Sequence, residues 1–383
     1  MSVTAARGFR AAGVTAGLKD SGAPDVAVVI NDGPRDSAAA VFTTNRCLAN
    51  PVLWTRQVLS NGRLRAVVLN SGGANCFTGP EGFGTTHATA EAAAAAIGVG
   101  AFEVAVASTG LIGVPLPRDR IVNGATAAVA AASRDGGANA AQAIRTTDTI
   151  RKQAVVDGDG WLVGGMAKGA GMLAPGLATM LVVLTTDADV DPATCEIALR
   201  EASRLSFDRL DGDGCQSTND TVLLLASGGS GRSPEAGAFG AVLARVCVEL
   251  ARQLQADVEG SAHDIAVTVS GAADEDDALE VARAIARSNL LKCAVYGEDP
   301  NWGRVLAAVG TTRAAFEPDH LDIGFNGVTL CRDSAPAADP ATVSFAGRAV
   351  QISVDLHAGP ATATVWTSDL TPGYVHENSA YST

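Results

Sequence analysis

MAKGAGMLAPGLATMLVVL, residues 166–184, changes character in its middle. The first part reads as a loop, in which Gly169, Gly171 and Gly176 widen the backbone's choices while Pro175 restricts one torsion. The second part opens TMLVVLTTDA, an apolar, β-branched run that reads as a strand buried on both faces. The chain thus passes from a permissive loop into a core strand at Ala178-Thr179.

Working outward, DVAVVI (25–30), RAVVL (65–69) and EVAVA (103–107) are short strands that end in turn residues. Between the second and third lies GTTHATAEAAAAAIGVG, where Thr85 or Thr86 is predicted to cap a helix that stops at Gly98. Helices are predicted over 118–134, 137–145, 192–205 and 237–254, with another buried strand at TVLLLAS (221–227). IAVTVSGAADEDDALEVARAIARSNLL reads as a strand followed by a helix whose acidic opening suits its N-terminal dipole. From about 315 short strands alternate until an irregular polar tail, GYVHENSAYST. Strands alternating with helices make this an α/β chain, with a smaller C-terminal α/β subdomain predicted over about 285–383.

The 383 residues fit two or three domains or one large α/β unit. With 47% hydrophobic residues, 42 glycines and only 4% aromatics, the composition suits a compact enzyme with close backbone packing. The formal charge of -13 works against a phosphate-tracking surface, so neither nucleic acid nor anionic membrane is expected as a partner. Seven cysteines without a CxxC pair and five histidines without HxxxH spacing predict neither a disulfide framework nor a metal site. The N-terminal stretch lacks an apolar signal region, and no run of about 20 apolar residues is long enough to span a bilayer. The expectation is a soluble cytoplasmic protein.

No GxxxxGK[ST], GxSxG or strand-following GxGxxG occurs, so the chemistry must lie in Ser, Thr, Lys and backbone groups. Thr179 is the candidate nucleophile. Freed at a new N-terminus, it would carry its own base, an α-amine with a reference pKa of about 7.7–8.0, whereas a lysine near about 10.4 would need strong desolvation. The glycines and Pro175 predict a backbone that could hold the Ala178 carbonyl in range of the Thr179 hydroxyl, and attack there would give an ester that water can cleave. ASTGLIG (107–113) leaves a strand and turns at Thr109-Gly110, where a hydroxyl and a backbone N–H can meet a developing oxyanion. Taken alone, a threonine in a strand and a turn at a strand's end are ordinary structural features.

The opening stretch resembles the self-cleavage and nucleophile motif of the ornithine acetyltransferase family of arginine biosynthesis, also called glutamate N-acetyltransferase. GFRAAGVTAGLK, NSGGANCFTG (70–79), ASTGLIG, TTDT (146–149), DGDGCQSTNDTV (211–222), GEDPNWGR (297–304) and GYVHENSAYST have counterparts in the same order, so the resemblance covers nearly the whole chain. It implies a layered α/β sandwich with mixed sheets, of N-terminal-nucleophile type. It also implies self-cleavage between Ala178 and Thr179 into an α chain (1–178) and a β chain (179–383), associated as an α2β2 heterotetramer. Thr179 would take acetyl from N2-acetylornithine and pass it to glutamate, with Thr109 and Gly110 as the oxyanion hole. Substrate contacts would fall on Thr146, Lys168, Thr179, Glu259, Asn378 and Thr383. No metal or organic cofactor is implied, and acetyl-CoA enters only as a substrate of bifunctional members.

Zwitterionic substrates suit these positions, since Lys168 can pair with a carboxylate and Glu259 with an ammonium. Thr146, Asn378 and Thr383 offer neutral hydrogen bonds. Departures from the family pattern are Gly73, Cys76-Phe77, His263 in place of a common lysine, and Arg145 in place of an apolar residue. Two alternatives stay open at this point. One is an N-terminal-nucleophile amidase or aminopeptidase, in which water replaces glutamate. The other is a non-catalytic small-molecule-binding protein in which Thr179 only packs.

Overall fold

The computed structural model of the chain describes residues 2–172 and 180–380. Backbone contacts divide these into two compact units, one of residues up to 208 with 215–254, the other of 209–214 with 255–380. The second unit therefore starts well before residue 285, where the sequence pattern placed the subdomain boundary. A continuous helix, Ala236–Ala256, covers the division, so no linker composition betrays it.

Among its described residues the first unit has nine strands: β1 (Phe9–Val14), β2 (Val26–Asn31), β3 (Ser37–Phe42), β4 (Ala66–Asn70), β5 (Val104–Ser108), β6 (Lys152–Asp157), β7 (Leu162–Lys168), β8 (Leu181–Thr186) and β9 (Thr221–Ala226). They form a four-stranded sheet, β1-β2-β4-β5, and a five-stranded sheet, β3-β9-β8-β7-β6. Each is mixed: β4 runs parallel to β5 and β8 parallel to β9, while the other pairs are antiparallel. The β-branched runs read as strands become β2, β4, β5, β8 and β9, buried along their whole length. Such strands need cover on both faces. One hydrophobic core supplies it, joining Val28, Val67 and Val106 of the first sheet to Met166, Leu181 and Leu223 of the second.

The sequence reading misses β1, β3, β6 and β7. FRAAGV and SAAAVF are alanine-rich and so have weak strand propensity, and β7 carries two glycines. Three of the four, β1, β3 and β6, are edge strands, held by a single neighbour.

The helices of this unit are α1 (Asn50–Val58), α2 (Gly79–Ile97), α3 (Arg118–Ala131), α4 (Gly137–Ala143), α5 (Pro192–Arg204) and α6 (Ala236–Ala256). α2 starts earlier than predicted, with Pro80 in its first turn. Thr85 and Thr86 are therefore not caps. Their hydroxyls bond back to the carbonyls of Glu81 and Gly82, at 3.0 and 3.2 Å, inside the helix. α5 begins as its sequence indicates, with the Asp191 side chain accepting from the Thr194 N–H at 2.7 Å. In α6, Phe239, Leu243, Val246, Cys247, Leu250 and Leu254 are all fully buried, at the three- and four-residue spacing of one helix face.

The second unit holds a six-stranded sheet of β10 (Asp264–Ala272), β11 (Asp322–Phe325), β12 (Val328–Arg332), β13 (Ala335–Pro336), β14 (Ala349–Asp355) and β15 (Ala361–Ser368). Its order is β13-β12-β11-β14-β10-β15, and only β10–β14 is parallel. α7 (Glu275–Ala286) packs on β10 and β15, capped by Asp274, with the acidic cluster in its first turn as expected. α8 (Asn289–Tyr296) and α9 (Trp302–Val309) follow, and Asn301 of DPNWGR caps α9 through the Arg304 N–H at 3.2 Å. Residues of the polar tail form a helix instead of the irregular segment expected, α10 (Pro372–Ala380). It has no buried residue and hence no apolar period to reveal it, but the Thr371 hydroxyl caps it by accepting from the Tyr374 N–H at 3.0 Å.

Candidate active site

The parallel pair β4 and β5 ends side by side at Asn70 and Ser108, and each strand leaves into a turn. The turns are stitched together by the Thr109 N–H to the Asn70 carbonyl, the Gly73 N–H to the Thr109 carbonyl, and the Ala74 N–H to the Leu111 carbonyl, all at 3.0 Å. Gly110 sits between these bonds at φ +128°, and a Cβ there would fall 2.8 Å from the Gly73 nitrogen. Only glycine fits such a backbone. The Gly110 N–H donates to none of the described residues.

Thr109 is buried, and its Oγ1 lies 3.1 Å from the Nζ of Lys168, the last residue of β7. A lysine ammonium has donors and no acceptor, so the Thr109 oxygen must accept. Its own proton, which bonds none of the described residues, is left to donate elsewhere. An unused hydroxyl proton beside an unused backbone N–H is what an oxyanion hole needs. A Thr109→Ala chain is expected to lose about 100- to 1000-fold in kcat, checked by steady-state kinetics on folded protein.

Lys168 is only 1% exposed. It belongs to a buried charge cluster centred on Asp148, whose Oδ1 pairs with the fully buried Lys152 at 2.6 Å and accepts from the Gly169 N–H at 2.7 Å. Asp148 Oδ2 accepts from the Thr146 N–H at 3.0 Å, fixing the turn that carries the half-buried Thr146. Burial alone would push this carboxyl up, but Lys168, Lys152 and the Gly169 N–H outweigh it and hold it below the usual carboxylate range. The Thr146 hydroxyl bonds none of the described residues and is available to a ligand. Arg145 closes the same turn, donating to the Asp148 carbonyl and, at 3.1 Å, to Gln142 Oε1. Lys19 reaches the Arg145 carbonyl at 2.6 Å, and burial lowers its pKa against the pull of Asp25.

The STND segment ahead of β9 braces the site from another side. Asn219 Nδ2 donates to the carbonyls of Ala74 and Ser108, at 2.6 and 2.8 Å, tying the oxyanion turn to the neighbouring loop. Asp220, fully buried, accepts the Met180 N–H at 3.0 Å, and the Thr221 N–H binds the Met180 carbonyl at 3.2 Å. Met180 leads into β8, whose first residue, Leu181, pairs with Lys168 across the sheet.

In the second unit Glu259 and Asn378 meet, with Asn378 Nδ2 donating to Glu259 Oε2 at 2.9 Å. α10 approaches so closely that a Cβ on Gly260, at φ +62°, would fall 2.3 Å from the Tyr374 nitrogen. The Thr371 hydroxyl donates to the Gly260 carbonyl at 2.5 Å. His263 Nδ1 lies 2.8 Å from the buried Asp369 carboxylate, which also accepts the N–H groups of Ala262 and His263, at 2.9 and 3.1 Å. His263 and Asp369 thus anchor the turn behind Glu259.

The first unit therefore brings together Thr109, Gly110, Lys168 and the Thr146 turn, and the second brings together Glu259 and Asn378. Ala178, Thr179 and Thr383 lie outside the described residues. Lys168, expected to face a substrate carboxylate, is held on Thr109 beneath the surface. Sequence reasoning gave no role to Asp148, Asn219, Asp220 or Asp369, although the first three stand inside the TTDT and STND motifs it singled out. Among the described residues no three His, Cys, Asp or Glu side chains are grouped to hold a metal, and no helix is long and apolar enough to cross a membrane.

The arginine biosynthesis bifunctional protein ArgJ of Streptomyces coelicolor is 62% identical to this chain over 382 residues, covering 100% of both. Of solved structures, an ornithine acetyltransferase complexed with ornithine, from Mycobacterium tuberculosis, is 57% identical with a TM-score of 0.45, over 47% of this chain and 96% of its own. The arginine biosynthesis bifunctional protein ArgJ of Bacillus halodurans is 35% identical with a TM-score of 0.50, over 52% of this chain and 98% of its own. A family model described as the ArgJ family matches residues 10–383. With the match running from Arg10 to the last residue and a relative identical at well over half of all positions, the chain belongs to the ArgJ family.

Proposed function

We propose that this chain is an acetyltransferase of arginine biosynthesis that cuts itself between Ala178 and Thr179 and then carries acetyl on Thr179. The free amine of Thr179 takes the proton of its hydroxyl, which attacks the acetamide carbonyl of N2-acetylornithine. The tetrahedral oxyanion is received by the Thr109 hydroxyl and the Gly110 N–H. Ornithine leaves, and glutamate accepts the acetyl group by the reverse steps.

The observation that carries this reading is the Thr109–Gly110 turn, where Lys168 forces the threonine oxygen to accept and leaves two donors unspent. The solved Bacillus halodurans chain, almost fully covered, spans 52% of this one. That is close to the share a chain starting at Thr179 would hold, and it supports the cut. Thr146 and Lys168 in the first unit, and Glu259 and Asn378 with Thr383 in the second chain, are proposed to bind substrate. The relatives are bifunctional proteins, so acetyl-CoA is proposed as a second donor. The amine of Thr179 supplies the base, so the proposed cycle uses no metal or organic cofactor. An α2β2 assembly in the cytoplasm completes the reading, and seven free thiols suit a reducing compartment.

The test is to incubate the protein with N2-acetylornithine, with and without glutamate. Ornithine should appear only with glutamate, matched by acetylglutamate. Release without glutamate would assign hydrolysis instead, and no release in either tube would defeat the acyltransferase reading. A parallel tube with acetyl-CoA and glutamate decides the second donor.

A further inference from the structure

Asp220 has no part in the mechanism above, yet it is fully buried against Met180, the residue that follows Thr179 in the chain. Its Oδ1 accepts the Met180 N–H at 3.0 Å, and that nitrogen belongs to the peptide bond joining Thr179 to Met180. The Met180 carbonyl is held in turn by the Thr221 N–H at 3.2 Å, and the Asp220 carbonyl by the Thr43 N–H at 3.1 Å. The residue behind the nucleophile is thus pinned at both ends to the segment preceding β9. The other carboxyl oxygen, Oδ2, is buried and makes no hydrogen bond of good geometry to the described residues. A bare carboxylate oxygen in that position is far more costly than a neutral, protonated carboxyl.

We propose that Asp220 is a positioning residue: an uncharged carboxyl that anchors the Met180 N–H and so fixes the nucleophilic threonine without placing negative charge beside its amine. Burial pushes the carboxyl well above the usual carboxylate range, against the Met180 N–H, the Ser217 hydroxyl and the positive Lys168, in agreement with this geometry. Charge matters here because an anion close to the Thr179 amine would hold that amine as ammonium, and an ammonium cannot accept the hydroxyl proton. The inference rests on Thr179 as nucleophile, as proposed above.

Asp220→Ala removes the anchor, while Asp220→Asn keeps a neutral oxygen acceptor of the same shape. Per cut chain, the alanine variant is expected to lose about 10- to 100-fold in kcat with KM within about threefold of wild type. Asparagine should restore kcat to within about threefold. Hydrogen exchange at the Met180 amide should quicken in the alanine variant and stay slow in the asparagine variant, with β4 amides unchanged in both. Wild-type kcat and slow Met180 exchange in Asp220→Ala would overturn the proposal, and so would an asparagine variant as impaired as alanine. If the alanine chain does not fold, the asparagine chain decides alone, by its kcat and its exchange. If the wild type itself transfers no acetyl group, the functional reading fails, and the exchange comparison still decides whether Asp220 is the anchor.

Discussion

A Thr179→Ala chain is expected to run as one polypeptide on a denaturing gel where the wild type gives two, and to lose acetyl transfer by roughly 10^5- to 10^6-fold. The size of the effect follows from one residue serving two roles. In the proposed mechanism its hydroxyl is the nucleophile for both self-cleavage and acetyl transfer, and its amine is the base that appears only after the cut. Substitution removes the first and prevents the second from forming. What survives is the Thr109–Gly110 turn, which can still polarise a carbonyl and accounts for residual rate over solution. The gel and the kinetics must agree. A wild type that stays full-length on long incubation and is also inactive would sink the self-processing claim, and so would a Thr179→Ala chain that transfers acetyl at the wild-type rate.

The junction that prompts this prediction was legible because loop and strand differ in composition within a few residues. β8 begins at Leu181, two residues into the run read from Thr179, the junction itself lying outside the described residues, and Thr109-Gly110 does form the turn at the end of β5. Local pattern also located the all-buried strands, since a continuous β-branched run has few other uses. It failed for β1 and β3, where alanine says nothing about strand or helix and the neighbouring strand supplies the order. It failed for α10, whose polar residues carry no period. The scaffold of the site was hidden for another reason. Asn219 binds carbonyls 145 and 111 positions away, and no spacing rule connects residues so distant. The ordered motifs marked these segments as belonging together, and only the geometry shows which atom braces which.

Asp148→Asn is expected to destabilise the protein by about 3–5 kcal/mol in urea melts at neutral pH, because it strips the counter-charge from a buried cation. Lys152 and Asp148 are both completely buried and 2.6 Å apart, so the lysine has no route to water when its partner becomes neutral. The pH dependence has a definite sign. The folded carboxyl titrates below its ordinary value, chiefly because Lys168 and Lys152 outweigh the burial that would raise it. The unfolded chain therefore takes up the proton first as pH falls. The stabilisation is complete above the unfolded carboxyl's pKa, about 3.9, and is lost as pH drops through the lower folded value. The gap between wild type and Asp148→Asn should hold steady from neutral pH down to about pH 5 and close in stronger acid. A gap below about 1 kcal/mol at neutral pH would mean the pair is not the buried charge clamp that its geometry implies. The same carboxylate fixes the N–H groups of Thr146 and Gly169, one on the turn that bears a proposed substrate contact and the other just after β7, ahead of the proposed scission point in sequence. Folded Asp148→Asn protein should accordingly bind N2-acetylornithine more weakly and cut itself more slowly, so that stability, binding and processing fail together from one buried charge.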